Sequence, residues 1–317
     1  MNAVVSGVGL ALPGVTAPKD LIGIIPADAP PVDPAARIGK KGLRYKDRAT
    51  QLALCCADEA LRDAGLLDGT GLTVPGETVA VLVASNFGNV DTVCKVVDII
   101  AEDGATGGIS PMDTPNASSN VIASTLAIKY GLRGPNLMMC NGPTSGLDAV
   151  RWAAALIAAG RADRALVLGV EPDNEMVRRL TGASRVVDGA AAVVLESADA
   201  AAGRGAVARA VVTSSVRTGG VTESLERLAG PARTAPAAWF GPGGGEGLGS
   251  AVLRPDTEHH DLAGVWGESS SVLGVAQCVG AVGWFAAGGT GPVYALAGRN
   301  GDDACAGVSM LEPRQVR

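Results

Sequence analysis

The chain has 317 residues, 47% hydrophobic and 18% charged, with a formal net charge of −6. This is a globular composition with ample material for a core, and the size favours two intimately packed subdomains over one simple layer. The acidic balance gives no electrostatic support for nucleic-acid or anionic-membrane binding, and no apolar run reaches the ~20 residues that span a bilayer. The six cysteines have neither metal-type nor disulfide-framework spacing, so reduced thiols, no metal and a cytoplasmic location are expected. Met1 leads straight into NAVVSGVGLAL without a basic leader, which fits the same expectation.

In chain order, Ala3 to Leu12 reads as a first buried strand, and the proline-containing residues 13–41 as a surface loop. Arg48 to Gly65 is an amphipathic helix with Gly65 as its stop; Cys55 and Cys56 on it read as packing residues. Val79 to Ala84 is a β-branched strand, residues 90–103 a helix, and Asn116 to Tyr130 a further helix. Ala165 to Val170 is a buried strand, and Val186 to Glu196 reads as two short strands around an Asp188-Gly189 hairpin turn. From about Gly205 the plan restarts. Val207 to Thr213 is a strand, Thr222 to Leu228 a helix, 272–287 an apolar helix, and Val293–Ala297 and Ala304–Leu311 are paired strands. Such alternation implies an α/β sheet with helices on both faces.

The chemistry-bearing stretch is Gly134 to Val150, GPNLMMCNGPTSGLDAV. Leu137, Met138, Met139 and Cys140 suit a short buried strand, and Asn141, Gly142 and Pro143 break it. Thr144 or Ser145 is placed to cap the helix in which Leu147, Val150, Ala154 and Ile157 recur at helical spacing. A strand, a sharp turn and a helix N-terminus form an elbow suited to a nucleophile or an anion.

This elbow, with GP before it, TSGLDAV after the turn and the later AGRADRALVLGVEP, resembles the active-site turn of the β-ketoacyl synthases of the thiolase-like superfamily. The resemblance implies a thiolase-like fold of two similar βαβ-type halves in a layered α-β-α-β-α arrangement. Residues 1–204 would form the first half and 205–317 a shortened second half. It also implies where catalytic groups belong. Pro143 stands in the place of the nucleophilic Cys, Gly241 and Ser271 in the places of the two His, and Trp266 in the place of the Lys. None of these residues can do the work of the group it replaces.

Relocated chemistry finds little support in the residues. Cys140 lies three strand residues, roughly 10 Å, from the turn, and reads as a plain buried Cys without the cation or helix end that a reactive thiolate needs. His259 and His260, the chain's two histidines, read as a solvated loop, with adjacent side chains pointing opposite ways. Pro242 to Gly249 (PGGGEGLG) lacks the Lys-Ser/Thr of a phosphate loop, and no cofactor is expected.

A synthase fold without its catalytic groups is similar to the chain-length factors, or ketosynthase β subunits, of bacterial type II polyketide synthases. Those usually carry Gln in the nucleophile's place and are longer, so Pro143 and the short second half are departures. The resemblance implies heterodimerisation with a catalytic ketosynthase subunit and service to an acyl carrier protein through that partner, during polyketide or polyene elongation. Asn116, Ser119, Asn120 and Ala123 would then wall an acyl tunnel, and Leu137, Met138 and Met139 would be buried against the partner. Two alternatives are an altered acyltransferase or cyclase using Cys140, and a structural homodimer.

Overall fold

A computed structural model describes residues 3–26, 28–242, 252–299 and 301–313. Its first half contains β1 (Ala3–Ala11), α1 (Pro34–Ile38), α2 (Arg48–Asp63), β2 (Val79–Ala84), α3 (Val90–Asp103), α4 (Val121–Tyr130) and β3 (Asn136–Met139). There follow α5 (Ser145–Ala158), β4 (Arg164–Glu171), α6 (Glu175–Thr181), β5 (Gly189–Ser197) and α7 (Ala198–Gly203). The second half contains β6 (Ala210–Thr218), α8 (Val221–Ala229), β7 (Ala238–Phe240), β8 (Glu258–His260), α9 (Leu262–Trp266), α10 (Ser270–Ala286), β9 (Val293–Ala297) and β10 (Cys305–Leu311).

The strands form one sheet in the order β3-β2-β4-β5-β1-β6-β10-β9-β7-β8. The order in the second half is the mirror of the first, and the strand senses repeat with it. β2 runs parallel to β3 and β4, as β7 does to β8 and β9. β5 is antiparallel to β4 and β1, as β10 is to β9 and β6. The halves join through the antiparallel pair β1–β6, with Ala3 opposite Val212.

Helices α5 and α10 touch strands of both halves, so the sheet wraps around them. Helices α2 and α4 cover the outer face of the first half, and α8 that of the second. The result is the expected α-β-α-β-α layering. The two central helices are apolar enough to be buried on most sides: fifteen consecutive residues of α10, Ser270 to Trp284, are buried. They approach closely because a Cβ on Gly146 would lie 2.5 Å from the Ser271 carbonyl oxygen, and one on Gly274 2.6 Å from the Leu147 nitrogen.

Several boundaries differ from the sequence reading. The helix before β3 starts at Val121, not Asn116; residues Thr114–Ala117 form a separate 3-10 helix. Ser118 is extended and its hydroxyl donates to Asn120 Oδ1 (2.6 Å), the local side-chain bonding that competes with a helix. No hairpin turn forms at Asp188-Gly189. Arg48 holds the Asp188 carboxylate at 2.6 Å, and Val186 bridges in parallel to Glu268, so only β5 is a strand there. The strand placed at Val207 to Thr213 is β6, Ala210–Thr218, because pairing with both β1 and β10 fixes its register. The 13–41 segment is not all loop: Pro18–Ile22 is a 3-10 helix against α10, and Asp33 caps α1.

Candidate functional site

The elbow is built as the residues dictate, but held differently from expected. Strand β3 ends at Met139, Gly142 takes φ +69°, and a 3-10 turn Gly142–Thr144 leads into α5. Neither Thr144 nor Ser145 makes an N-terminal cap hydrogen bond. The Ser145 hydroxyl instead accepts from the Asn141 N–H (2.7 Å) and lies 2.8 Å from the Gly142 carbonyl oxygen. The Asn86 amide brackets the turn from the end of β2. Its oxygen accepts from the Gly142 N–H (3.1 Å) and its nitrogen donates to the Gly142 carbonyl (2.9 Å) and to Ser270 Oγ.

A second brace runs across the halves. Asp148 on α5 is fully buried, and its Oδ2 accepts from the Thr144 hydroxyl (2.8 Å), the Asn141 amide (3.1 Å) and the Arg217 guanidinium on β6. A buried carboxylate needs such partners, since desolvation outweighs any single contact.

The third feature is Glu171, at the end of β4 and 0% exposed. Its two oxygens accept from the Asn86 N–H (2.7 Å), the Phe87 N–H (3.0 Å), the Ser85 hydroxyl (3.3 Å) and the Ser271 hydroxyl (2.6 Å). Burial pushes its pKa up to about 7, against the lowering effect of the Ser271 and backbone hydrogen bonds. Glu171, Asn86 and Arg217 were missed by sequence reasoning. The available signal was an acidic residue closing the apolar run Leu166 to Val170, where burial forces it to find donors.

Around the elbow lie two openings. Pro143, Pro242, Glu268, Ser270, Leu273 and Arg299 line part of a cavity of about 210 Å³. Cys140, Asn141, Gly142, Pro143, Arg217 and Asp302 line part of a cleft of about 560 Å³. Pro143 borders both, without thiol, hydroxyl or acidic proton to offer. Ser271 does not face either opening; it is fully buried and its hydroxyl is spent on Glu171. Gly241 is absent from the walls: a side chain there would point at His259 Nε2 (2.7 Å) and the Trp239 ring. Trp266 is buried and lines a different cleft of about 260 Å³ with Pro13, Asp173 and Arg178.

Two readings of reactive residues need correction. Cys140 is exposed, not buried, because it lies just past the last strand residue at the sheet edge. Its thiol still turns inward to donate to the Ser85 carbonyl (3.1 Å); partial burial, with the Glu171 charge, raises its pKa and makes it a poor nucleophile. His259 and His260 are not in a solvated loop but form β8, stacked on Trp239 (4.2 Å) and Phe240 (4.8 Å) of β7. Burial lowers both imidazole pKa values. Residues 243–249 of the glycine-rich segment lie outside the described residues.

The four residues assigned to a tunnel divide. Asn116 is buried, its amide donating to the Tyr45 carbonyl (2.9 Å), and Ala123 is buried against α2. Ser119 and Asn120 are exposed, because the helix begins only after them. Leu137 and Met138 are half-buried and Met139 is buried on β3, which ends the sheet. No helix among the described residues is long and apolar enough to cross a membrane.

Comparison with known proteins agrees with this architecture. The family described as "Beta-ketoacyl synthase, N-terminal domain" matches residues 14–185. A 3-oxoacyl-[acyl-carrier-protein] synthase 2 of Coxiella burnetii is 32% identical over 148 residues, 46% of this chain and 34% of that protein. A granaticin polyketide putative β-ketoacyl synthase of Streptomyces violaceoruber is 28% identical over 189 residues, 51% of this chain and 44% of that one. The chain thus matches less than half the length of these relatives. The solved structure of the ishigamide ketosynthase/chain length factor superposes with a TM-score of 0.81 at 19% identity, covering 98% of this chain and 99% of that one, which extends the likeness in fold to both halves. A family match over more than half of the sequence, on the elbow-bearing half, places this chain in the β-ketoacyl synthase family.

Proposed function

We propose that this chain is a non-catalytic chain-length factor: it pairs with an active ketosynthase and shapes the tunnel in which a polyketide or polyene grows on an acyl carrier protein. The observation that carries the reading is Pro143 at the tip of an otherwise fully braced elbow. The scaffold of an acyl-transfer site is kept, while the residue at its tip has no group that can hold an acyl chain. Ser271, locked onto a buried carboxylate, has no free hydroxyl to substitute, and the raised thiol pKa of Cys140 weakens the case for an altered acyltransferase or cyclase.

The free edge strand β3 supports a partner at Leu137 and Met138, since an open strand with half-buried apolar residues leaves backbone groups and surface to be covered. The chain would act as two halves, 1–204 and 205–317, in the cytoplasm, with the carrier protein reached through the catalytic subunit. The test is co-expression with a catalytic ketosynthase subunit of a type II polyketide synthase, followed by exposure to a radiolabelled acyl carrier thioester. A stable heterodimer labelled on the ketosynthase alone supports the reading. A chain that stays a homodimer, or turns over thioesters by itself, overturns it.

A further inference from the structure

The cleft of about 260 Å³ that Trp266 lines is separate from the elbow: no described residue borders both it and either opening there. Its walls come from both halves. Pro13, Pro26 and Pro31 belong to the N-terminal segment, Arg185 precedes β5, and Val265 and Trp266 belong to α9. The prolines and Val265 present apolar surface, and the volume lies just under the ~300 Å³ at which pockets begin to hold drug-sized ligands. The polar groups around this surface are unevenly spent. Both carboxylates are taken: Asp173 accepts two bonds from the Arg178 guanidinium, and Asp188 accepts from Arg48 (2.6 Å) and from the Asp173 N–H (3.2 Å). The donors are not. Arg185 gives one bond to the Val265 carbonyl (2.7 Å) and meets no carboxylate among the described residues. Trp266 is 6% exposed, and its indole N–H is buried without an acceptor among the described residues. A buried donor in that state is rare in folded proteins and costs stability until an acceptor arrives.

We propose that this cleft is a binding site for a small aryl carboxylate, whose carboxylate is taken by Arg185 and the Trp266 N–H and whose ring lies against the prolines. The charge balance selects an anion. Asp173 is cancelled by Arg178 and Asp188 by Arg48, which leaves the Arg185 charge in excess. A carboxylate is acceptor-only and can meet two donors at once, whereas a neutral acceptor would leave that charge without a counter-ion. The walls select the body. Proline and valine carbons form no hydrogen bonds, so the rest of the ligand must be apolar. A rigid ring buries much area with few rotors to order. Because the walls come from both halves, an occupant clasps them and should raise the unfolding temperature. The site stands whether or not the chain pairs with a ketosynthase.

The test is isothermal titration of the full chain with benzoate, trans-cinnamate and 2-naphthoate, and with cinnamamide as the uncharged counterpart. The same titrations are made on Trp266→Phe, which keeps a ring and deletes the N–H, and on Arg185→Met, a change at an exposed side chain. Thermal unfolding without ligand checks each fold, and with ligand reads the clasp. At least one of the three acids should bind once per chain and raise the unfolding temperature. Its affinity should fall about tenfold or more in each variant, the scale of a hydrogen bond to a charged group. Cinnamamide should bind correspondingly more weakly than cinnamate. No saturable binding of any of the three acids overturns the site. Binding that either folded variant leaves unchanged overturns it equally, since the acid then sits elsewhere; should Trp266→Phe not fold, Arg185→Met decides alone.

Discussion

Ser271 donates a 2.6 Å hydrogen bond to Glu171, two fully buried side chains at the core of the elbow. Ser271 is therefore a brace, and its partner is a carboxyl whose pKa burial pushes up to about 7.

Glu171 makes stability pH-dependent. Its folded pKa of about 7 exceeds the ordinary 4.5 because burial disfavours the charge. Below 4.5 both folded and unfolded states hold the proton. As pH rises toward 7 the unfolded state ionises first, so stability falls, by about 3 kcal/mol once both are ionised. Glu171→Gln should flatten this slope in urea unfolding at about pH 5 and about pH 8. It should also be less stable at both, since its NH₂ must oppose one of the two backbone N–H groups facing the carboxylate. An unchanged slope would show that the carboxylate does not titrate in this window.

Catalytic silence should survive partial repair. Pro143→Cys restores a thiol at the elbow tip, yet no histidine lines the cavity there. Incubated with a radiolabelled acyl carrier thioester, both the unmodified chain and Pro143→Cys should show no turnover, and the unmodified chain should stay unlabelled. Stable labelling of Cys140 would revive the altered-enzyme alternative.

Arg217→Met removes the cation that reaches from β6 to buried Asp148. The carboxylate keeps Thr144 and Asn141 but loses its principal charge partner, and the loss should be about 3 kcal/mol by denaturant unfolding. Adding Asp148→Asn should recover part of it. A loss below about 0.5 kcal/mol would mean that the brace contributes nothing measurable.

Met138→Asp should abolish co-purification with the ketosynthase while costing the isolated chain little, because Met138 is only half-buried before the partner arrives. Burying an unpaired carboxylate in the interface costs several kcal/mol. Undiminished pairing would place the interface elsewhere.

Ser119→Phe tests the tunnel. Since Ser119 is exposed, the ring should leave the isolated chain within about 0.5 kcal/mol of its original stability. Blockage would arise only at the covered face of the heterodimer, where close packing leaves no room for both ring and acyl chain. Products should shorten by one or more extension units, measured by mass spectrometry. Unchanged products from an intact, active complex would assign these small residues to packing.

The sequence by itself determined the local elements whose side chains repeat with a clear period: β2 at Val79–Ala84, α2 at Arg48–Asp63, α3 at Val90–Asp103 and β9 at Val293–Ala297. It also determined the elbow, because strand, turn and helix there are written in consecutive residues, and with it the place of Pro143. Tertiary structure decided what depends on partners far along the chain. β6 took its boundaries from two neighbouring strands, and Asp188 was turned from a hairpin signal into an ion pair with Arg48, 140 residues away. Glu171 became a titrating brace only because β4 delivers it between Asn86 and Ser271. Periodicity records which face of a segment is buried. It does not record which distant donor will meet a carboxylate, because hydrogen bonding is directional and set by the assembled fold.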